Sequence, residues 1–293
     1  MSMLLHRRGL LAASAASLAC SLLPRRVQAA ASADRIVVAG GAITEIVYAL
    51  GEEKRLVGVD TTSMYPAAAG KLPQVGYFRS LSAEGILSLN PSLLLASEQA
   101  GPASTMDKLR AVKLPVVLVP ESMVAAEVPE KFRIIGRALD CSVQADRLAD
   151  GLSADLARLE AAVANIKRKP RVLFLLSVTD GRLLAAGHTT AADTMIRLAG
   201  GRNAIEEYGG YKPVSAEAAL AANPDMLLLS NQGLETLGGT KGLAELPQLR
   251  ALKAAREGKV AALDMLYLLG MGPRIAAAGR ELARALHGAA IPV

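Results

Sequence analysis

The chain has 293 residues, enough for one large domain or two medium lobes, and its 52% hydrophobic and 20% charged content excludes a disordered chain. Three Phe, six Tyr and no Trp leave few rings for a stacking site, so each tyrosine carries weight. The formal charge of +6 overstates the basicity, because Arg7, Arg8, Arg25 and Arg26 sit in an acid-free stretch over residues 1–29. Taking those four from 33 leaves 29 basic residues against 27 acidic ones, a net charge of +2. The one short run left, Lys167-Arg168-Lys169, reads as a solvated helix end, and nucleic-acid binding, which needs a basic face, is excluded.

Residues 1–29 read as a signal peptide: Arg7-Arg8, an apolar small-residue run over 9–23, then the small-x-small site Val27-Gln28-Ala29. The arginine pair resembles a twin-arginine export signal, without its usual upstream Ser or Thr. The apolar run is shorter than the ~20 residues that span a bilayer. Cys20, in Ser-Leu-Ala-Cys, is a candidate lipid attachment site, with Ser17 where a lipobox has Leu. Cleavage would leave Cys141 alone, so no disulfide within the chain is expected. The mature chain is therefore expected in the periplasm.

In chain order, a strand from Arg35 runs into Gly40-Gly41 and a helix over 42–50. Short apolar strands follow at 55–60 and 116–120, then a helix at 129–140. Residues 142–167 keep apolar positions at three- and four-residue steps until Pro170, which predicts a single long helix of about 26 residues. A second series opens with the strand 171–176 and continues through a helix at 191–198, strands at 226–229 and 260–263, and a helix after Pro273. Alternating strands and helices predict an α/β fold of two Rossmann-like lobes with mostly parallel sheets. The expected division is an N-terminal lobe over 34–141, a connecting helix over 142–169 and a C-terminal lobe over 170–293.

An internal repeat supports two lobes. Ser82-Ala83-Glu84, Asn90-Pro91 and Ser97 align without a gap to Ser215-Ala216-Glu217, Asn223-Pro224 and Ser230. Each copy reads as a Ser-capped helix broken at Asn-Pro and followed by a buried strand. Gly76-Tyr77 and Gly210-Tyr211 stand just upstream of the two copies. Two related lobes on a stiff helix make a cleft, and a cleft is where a ligand goes.

Catalysis is poorly supplied. Outside the export segment only His188 and His287 remain, with no Gly-x-Ser-x-Gly elbow, P-loop or Cys/His metal spacing. No enzymatic activity is expected.

Residues 72–100, "LPQVGYFRSLSAEGILSLNPSLLLASEQA", closely resemble the signature region of periplasmic haem-binding proteins of bacterial ABC importers. Residues 35–51, 186–204 and 232–239 resemble the same family, so that nearly all of 35–290 is covered and Gly76-Tyr77-Phe78-Arg79 is the most specific element. The resemblance implies haem as a transported ligand, one or two per chain, and delivery to the permease dimer of an inner-membrane ABC importer. An outer-membrane haem receptor would stand upstream. By the same resemblance Tyr77 is the axial ligand of the haem iron and Arg79 its support.

The chemistry agrees with that assignment. A phenolate is a hard anionic donor suited to ferric iron. A free phenol titrates at about 10, and both the iron and a nearby guanidinium favour its charged form. Arg79 could instead hold a haem propionate through paired hydrogen bonds. Read from spacing alone, Tyr77 is better taken as a loop tyrosine packed on its own lobe, and the resemblance is what favours the ligand role. Tyr65, in the Pro-bounded loop Thr-Thr-Ser-Met-Tyr-Pro, is the second choice of ligand, lacking an Arg two residues on. Tyr211 and Lys212 are the counterparts on the other lobe, expected to line the cleft. His188 is either a candidate second iron ligand or a polar residue near a helix cap.

Glu84 and Glu217 occupy equivalent places in the repeat. An acid in a helix's first turn is favoured by the dipole, and in related binding proteins such a pair meets arginines of the permease. A siderophore or cobalamin carrier would share this architecture but usually uses more aromatic or basic residues. A periplasmic haem-using enzyme would need a proton-transfer group beside the iron, and only His188 offers one. A structural or adhesion role is not favoured by a cleft-forming repeat.

Overall fold

Apolar runs with no alternation place the first strands inside the protein. The computed structural model describes residues 34–179 and 181–288, and the export segment expected over 1–29, Cys20 included, lies outside them. β1 (Ile36–Ala39) leads into α1 (Gly41–Ala49) and β2 (Leu56–Val59). After a long loop come α2 (Ala83–Leu87), β3 (Leu93–Ser97), α3 (Ala103–Ala111), β4 (Val116–Val119) and α4 (Val128–Ala138). The four strands form one parallel sheet in the order β2-β1-β3-β4. β1 and β3 are buried along their whole length, as strands covered on both faces must be.

α5 (Ser142–Ala164) follows directly. Ala145, Ala149, Leu152, Leu156, Leu159 and Val163 are its buried residues, steps of three and four that keep one stripe facing inward. At 1.5 Å per residue its 23 residues make a rod of roughly 35 Å. It stops short of the expected Lys167, with Asn165 at the C-cap, and Pro170 keeps the helix from resuming at Lys169.

The second series is β5 (Arg171–Thr179), β6 (Arg182–Ala186), α6 (Ala191–Leu198), β7 (Arg202–Asn203), β8 (Tyr211–Val214) and α7 (Ala216–Ala221). It continues with β9 (Met226–Ser230), α8 (Asn231–Thr236), α9 (Gly239–Glu245) and α10 (Lys253–Arg256). β10 (Val260–Leu263), α11 (Met265–Leu269) and α12 (Ile275–His287) complete it. The strand order is β10-β9-β5-β6-β8, with β7 paired to β5. β10, β9, β5 and β7 are parallel, whereas β6 is antiparallel to both β5 and β8, so this sheet is mixed. The apolar run at 171–176 marks only the front of β5. The strand extends to Thr179, which pairs with Arg182 of β6, and Gly181 just before β6 has φ +75°.

The repeat is structural. The Ser82 hydroxyl accepts from the Gly85 N–H at 3.2 Å, and the Ser215 hydroxyl from the Ala218 N–H at 3.1 Å. Asn90 and Asn223 both turn through positive φ, 46° and 42°, before their prolines. One apolar core runs from Ile36 and Phe132 through Leu156 and Leu159 of α5 to Phe174 and Leu282, joining both sheets to the long helix. Three polar contacts also tie the two halves. Arg274 pairs with Glu45 through two hydrogen bonds at 2.6 and 2.7 Å, Lys131 Nζ donates to the Met271 carbonyl at 3.2 Å, and the Thr194 hydroxyl donates to the Met123 carbonyl.

Candidate functional site

The ends of the parallel strands converge on one cleft. Asp60, at the end of β2 and fully buried, organises the first wall. Its Oδ1 accepts from the Gly40 N–H at 3.0 Å and the Ser63 hydroxyl at 2.8 Å, and its Oδ2 from the Thr62 N–H at 3.1 Å and hydroxyl at 2.7 Å. The loop after β2 is thereby pinned against the turn after β1. Gly41 allows that approach, since a Cβ there would stand 2.5 Å from the Thr62 carbonyl oxygen.

The next loop carries the tyrosine. Gly76 has φ +97°, a conformation that side chains other than glycine's rarely adopt, and its carbonyl accepts from the Thr61 N–H at 3.0 Å. Tyr77 then stands at the cleft's rim, 40% exposed. Arg79 Nη1 donates to the Tyr77 hydroxyl oxygen at 2.5 Å, and its Nη2 donates to the Gln99 side-chain oxygen. The guanidinium lies 4.4 Å from the centre of the Phe78 ring, which holds the fork over the loop.

Between the lobes these elements enclose a cavity of about 570 Å³, within the range of small-molecule sites. Tyr77, Phe78, Arg79 and Met64 line it from the first half; Thr190, Tyr211, Met265 and Leu266 line it from the second. The wall is largely apolar, with Lys131 and Glu121 as its other charged members. Tyr211 packs edge-on against Phe174, and its hydroxyl meets the Ala192 N–H and the Thr190 side chain at the start of α6. Burial pushes the Tyr211 phenol above its ordinary value, so it stays protonated.

Of the residues singled out from the sequence, the fold brings Tyr77, Arg79 and Tyr211 to one cavity. Tyr65 is not part of its lining: it is exposed on the adjacent loop, with the Arg274 guanidinium 3.7 Å from its ring centre. Lys212 points elsewhere, its Nζ 5.2 Å from the centre of the Tyr208 ring. His188 is exposed beside the cavity, next to the lining residue Thr189, whose hydroxyl it meets at 2.9 Å through Nδ1. Glu84 and Glu217 are exposed in the first turns of α2 and α7, away from the cleft. Glu217's own N–H and the Ser215 hydroxyl hold its carboxyl below the usual carboxylate range.

Sequence reasoning missed Lys131, Asp60 and the methionines Met64, Met123 and Met265 as parts of this region. Lys131 lay inside a segment read only as helix, and nothing in its spacing separates an inward lysine from a solvated one. Among the described residues no group of three His, Cys, Asp or Glu side chains is placed to hold a bare metal ion. No helix among them is long and apolar enough to cross a membrane.

Known proteins share this fold. The periplasmic heme-binding protein RhuT from Roseiflexus sp. RS-1, solved in apo form, is 41% identical, with a TM-score of 0.83 over 88% of this chain and 99% of its own. The periplasmic heme-binding protein BhuT, solved with two hemes, is 42% identical, with a TM-score of 0.82 over 86% of this chain and 97% of its own. The vitamin B12-binding protein of Yersinia pestis is 27% identical over 96% of this chain and 95% of its own. With its two sheets, its long helix and a sequence that matches the family profile over residues 36–266, the chain belongs to the periplasmic binding protein family.

Proposed function

We propose that this protein captures haem in the cleft between its lobes and hands it to the permease of an ABC importer. The observation that carries the reading is the Tyr77–Arg79 pair, joined at 2.5 Å on the rim of a largely apolar cavity. A phenolic oxygen is a hard donor suited to ferric iron, and here the Arg79 hydrogen bond holds it in place. Phe78, Met64, Met265 and Leu266 supply apolar walls for the flat faces of a porphyrin. Tyr77 is the iron ligand in this reading, with Tyr65 as the second choice. Arg79 supports the phenolate and Tyr211 covers the opposite side.

Titrating purified mature protein with haemin tests the reading. A saturable high-spin ferric spectrum with a tyrosinate charge-transfer band is expected; uptake of cobalamin or a ferric siderophore without haemin would overturn it. The same titration counts the ligand. Heme-loaded BhuT supports a capacity of two, and exposed His188 is then the candidate ligand of the second.

Glu84 and Glu217 are the proposed docking contacts, one on each half and both exposed. Charge reversal of both, Glu84→Lys with Glu217→Lys, should leave the haemin Kd unchanged and lower haem import in reconstituted vesicles by roughly tenfold or more. Unchanged import would remove them from the interface.

A further inference from the structure

Lys131 is the cation of the cavity wall that haem capture by Tyr77 and Arg79 leaves without a task. It sits on α4 with 3% exposure, yet it forms part of the cavity wall. An ammonium has three protons to donate, and Lys131 gives one, to the Met271 carbonyl at 3.2 Å. Among the described residues no carboxylate pairs with it. Glu121 and Glu98 are near enough to favour its charge, while burial pulls its pKa below the ordinary lysine value. A buried cation with spare donors is costly until an anion reaches it.

We propose that Lys131 is a specificity-determining residue of the cleft: it receives a carboxylate of the ligand and so favours tetrapyrroles with free carboxylates over those whose edge carries amides or esters. This rests on the haem-binding reading of the same cavity. Tyr77 at 40% exposure and Lys131 at 3% place two different grips at two depths, one for the metal and one for the ligand's acidic edge. A carboxylate can take a charged hydrogen bond from the spare donors in a place shielded from water, where such a bond is strongest. An amide accepts more weakly, and an ester leaves the cation without a counter-charge. A mere strut between the lobes would not distinguish these ligands at all.

The test measures Kd for haemin and for its dimethyl ester with the wild type, Lys131→Met and Lys131→Gln, each checked for folding by its thermal midpoint. The wild type should favour haemin over the diester by roughly tenfold or more, the weight of one charged hydrogen bond. Both variants should lose most of that preference, chiefly through weaker haemin binding, while affinity for the diester stays nearly constant. If a folded variant keeps the preference, or loses affinity for both ligands equally, Lys131 is a structural tie and the inference falls. A wild type that binds the two ligands equally overturns it as well. A wild type that takes up neither sinks the haem reading itself, and the lysine's assignment with it.

Discussion

Tyr77→Ala is expected to abolish the tyrosinate band of the haemin complex and to weaken haemin binding at least a hundredfold, about 2.7 kcal/mol. Among the described residues the lining of the cavity offers no imidazole and no thiolate, and its methionine thioethers are soft donors poorly matched to ferric iron. Two tyrosines among the described residues, Tyr77 and Tyr211, line it. Burial pushes the Tyr211 phenol up and the Ala192 N–H engages its oxygen, whereas Tyr77 faces the opening with a guanidinium against its oxygen. Of the two, Tyr77 is the one at the rim, and its oxygen carries a guanidinium hydrogen bond. Tyr77→Phe should lose the band equally, since it keeps the ring and removes the oxygen. Arg79→Ala should weaken binding less, because iron alone still favours the phenolate. Tyr77 lies on an exposed loop, so the thermal midpoint of Tyr77→Ala should stay within about 2 °C of the wild type. A spectrum that survives Tyr77→Ala and disappears in Tyr65→Ala would move the ligand to the neighbouring loop.

Arg274→Ala should cost about 3 kcal/mol of stability near neutral pH, read as a drop of roughly 6–12 °C in the thermal midpoint. Arg274 joins the halves: its fork meets both oxygens of Glu45 on α1, and its guanidinium stacks on Tyr65 and Tyr267, 3.7 and 4.9 Å from their ring centres. Glu45 is only 6% exposed, and burial raises its pKa while the arginine's hydrogen bond and charge lower it. Removing Arg274 leaves the burial in place and takes the compensation away. The carboxyl's pKa in the folded variant then rises further above its unfolded value. A group shifted in that direction contributes stability at low pH and loses it as pH rises through the folded pKa. The deficit of Arg274→Ala is therefore expected to be largest at neutral pH and to shrink in acid, where Glu45 takes up a proton. Arg274→Lys, which keeps the charge but loses the fork, should fall between. A deficit that does not change with pH would show that the stacking, and not the ion pair, is what Arg274 supplies.

Read in sequence alone, the strands were legible where both faces are covered, as in the continuous apolar runs at 36–39 and 93–97. The long helix was legible from its three- and four-residue stripe, and the repeat from Ser-Ala-Glu and Asn-Pro in register. Tyr77 and Arg79 stood out through the resemblance carried by Gly76-Tyr77-Phe78-Arg79 and not through spacing, although their contact, two residues apart, is local chemistry. The second sheet's antiparallel part was not legible, since a half-exposed strand beyond 176 has no apolar run to mark it.

Local sequence thus determined the parallel strands, the long helix, the repeat and the Tyr77–Arg79 contact, set by neighbours within a few residues. Tertiary structure alone decided which charged side chains face inward. Lys131 meets Met271 across 140 positions and Glu45 meets Arg274 across 229. A helix pattern specifies which face is apolar, but the partner that makes a buried charge tolerable comes from the far end of the chain, where only folding brings it.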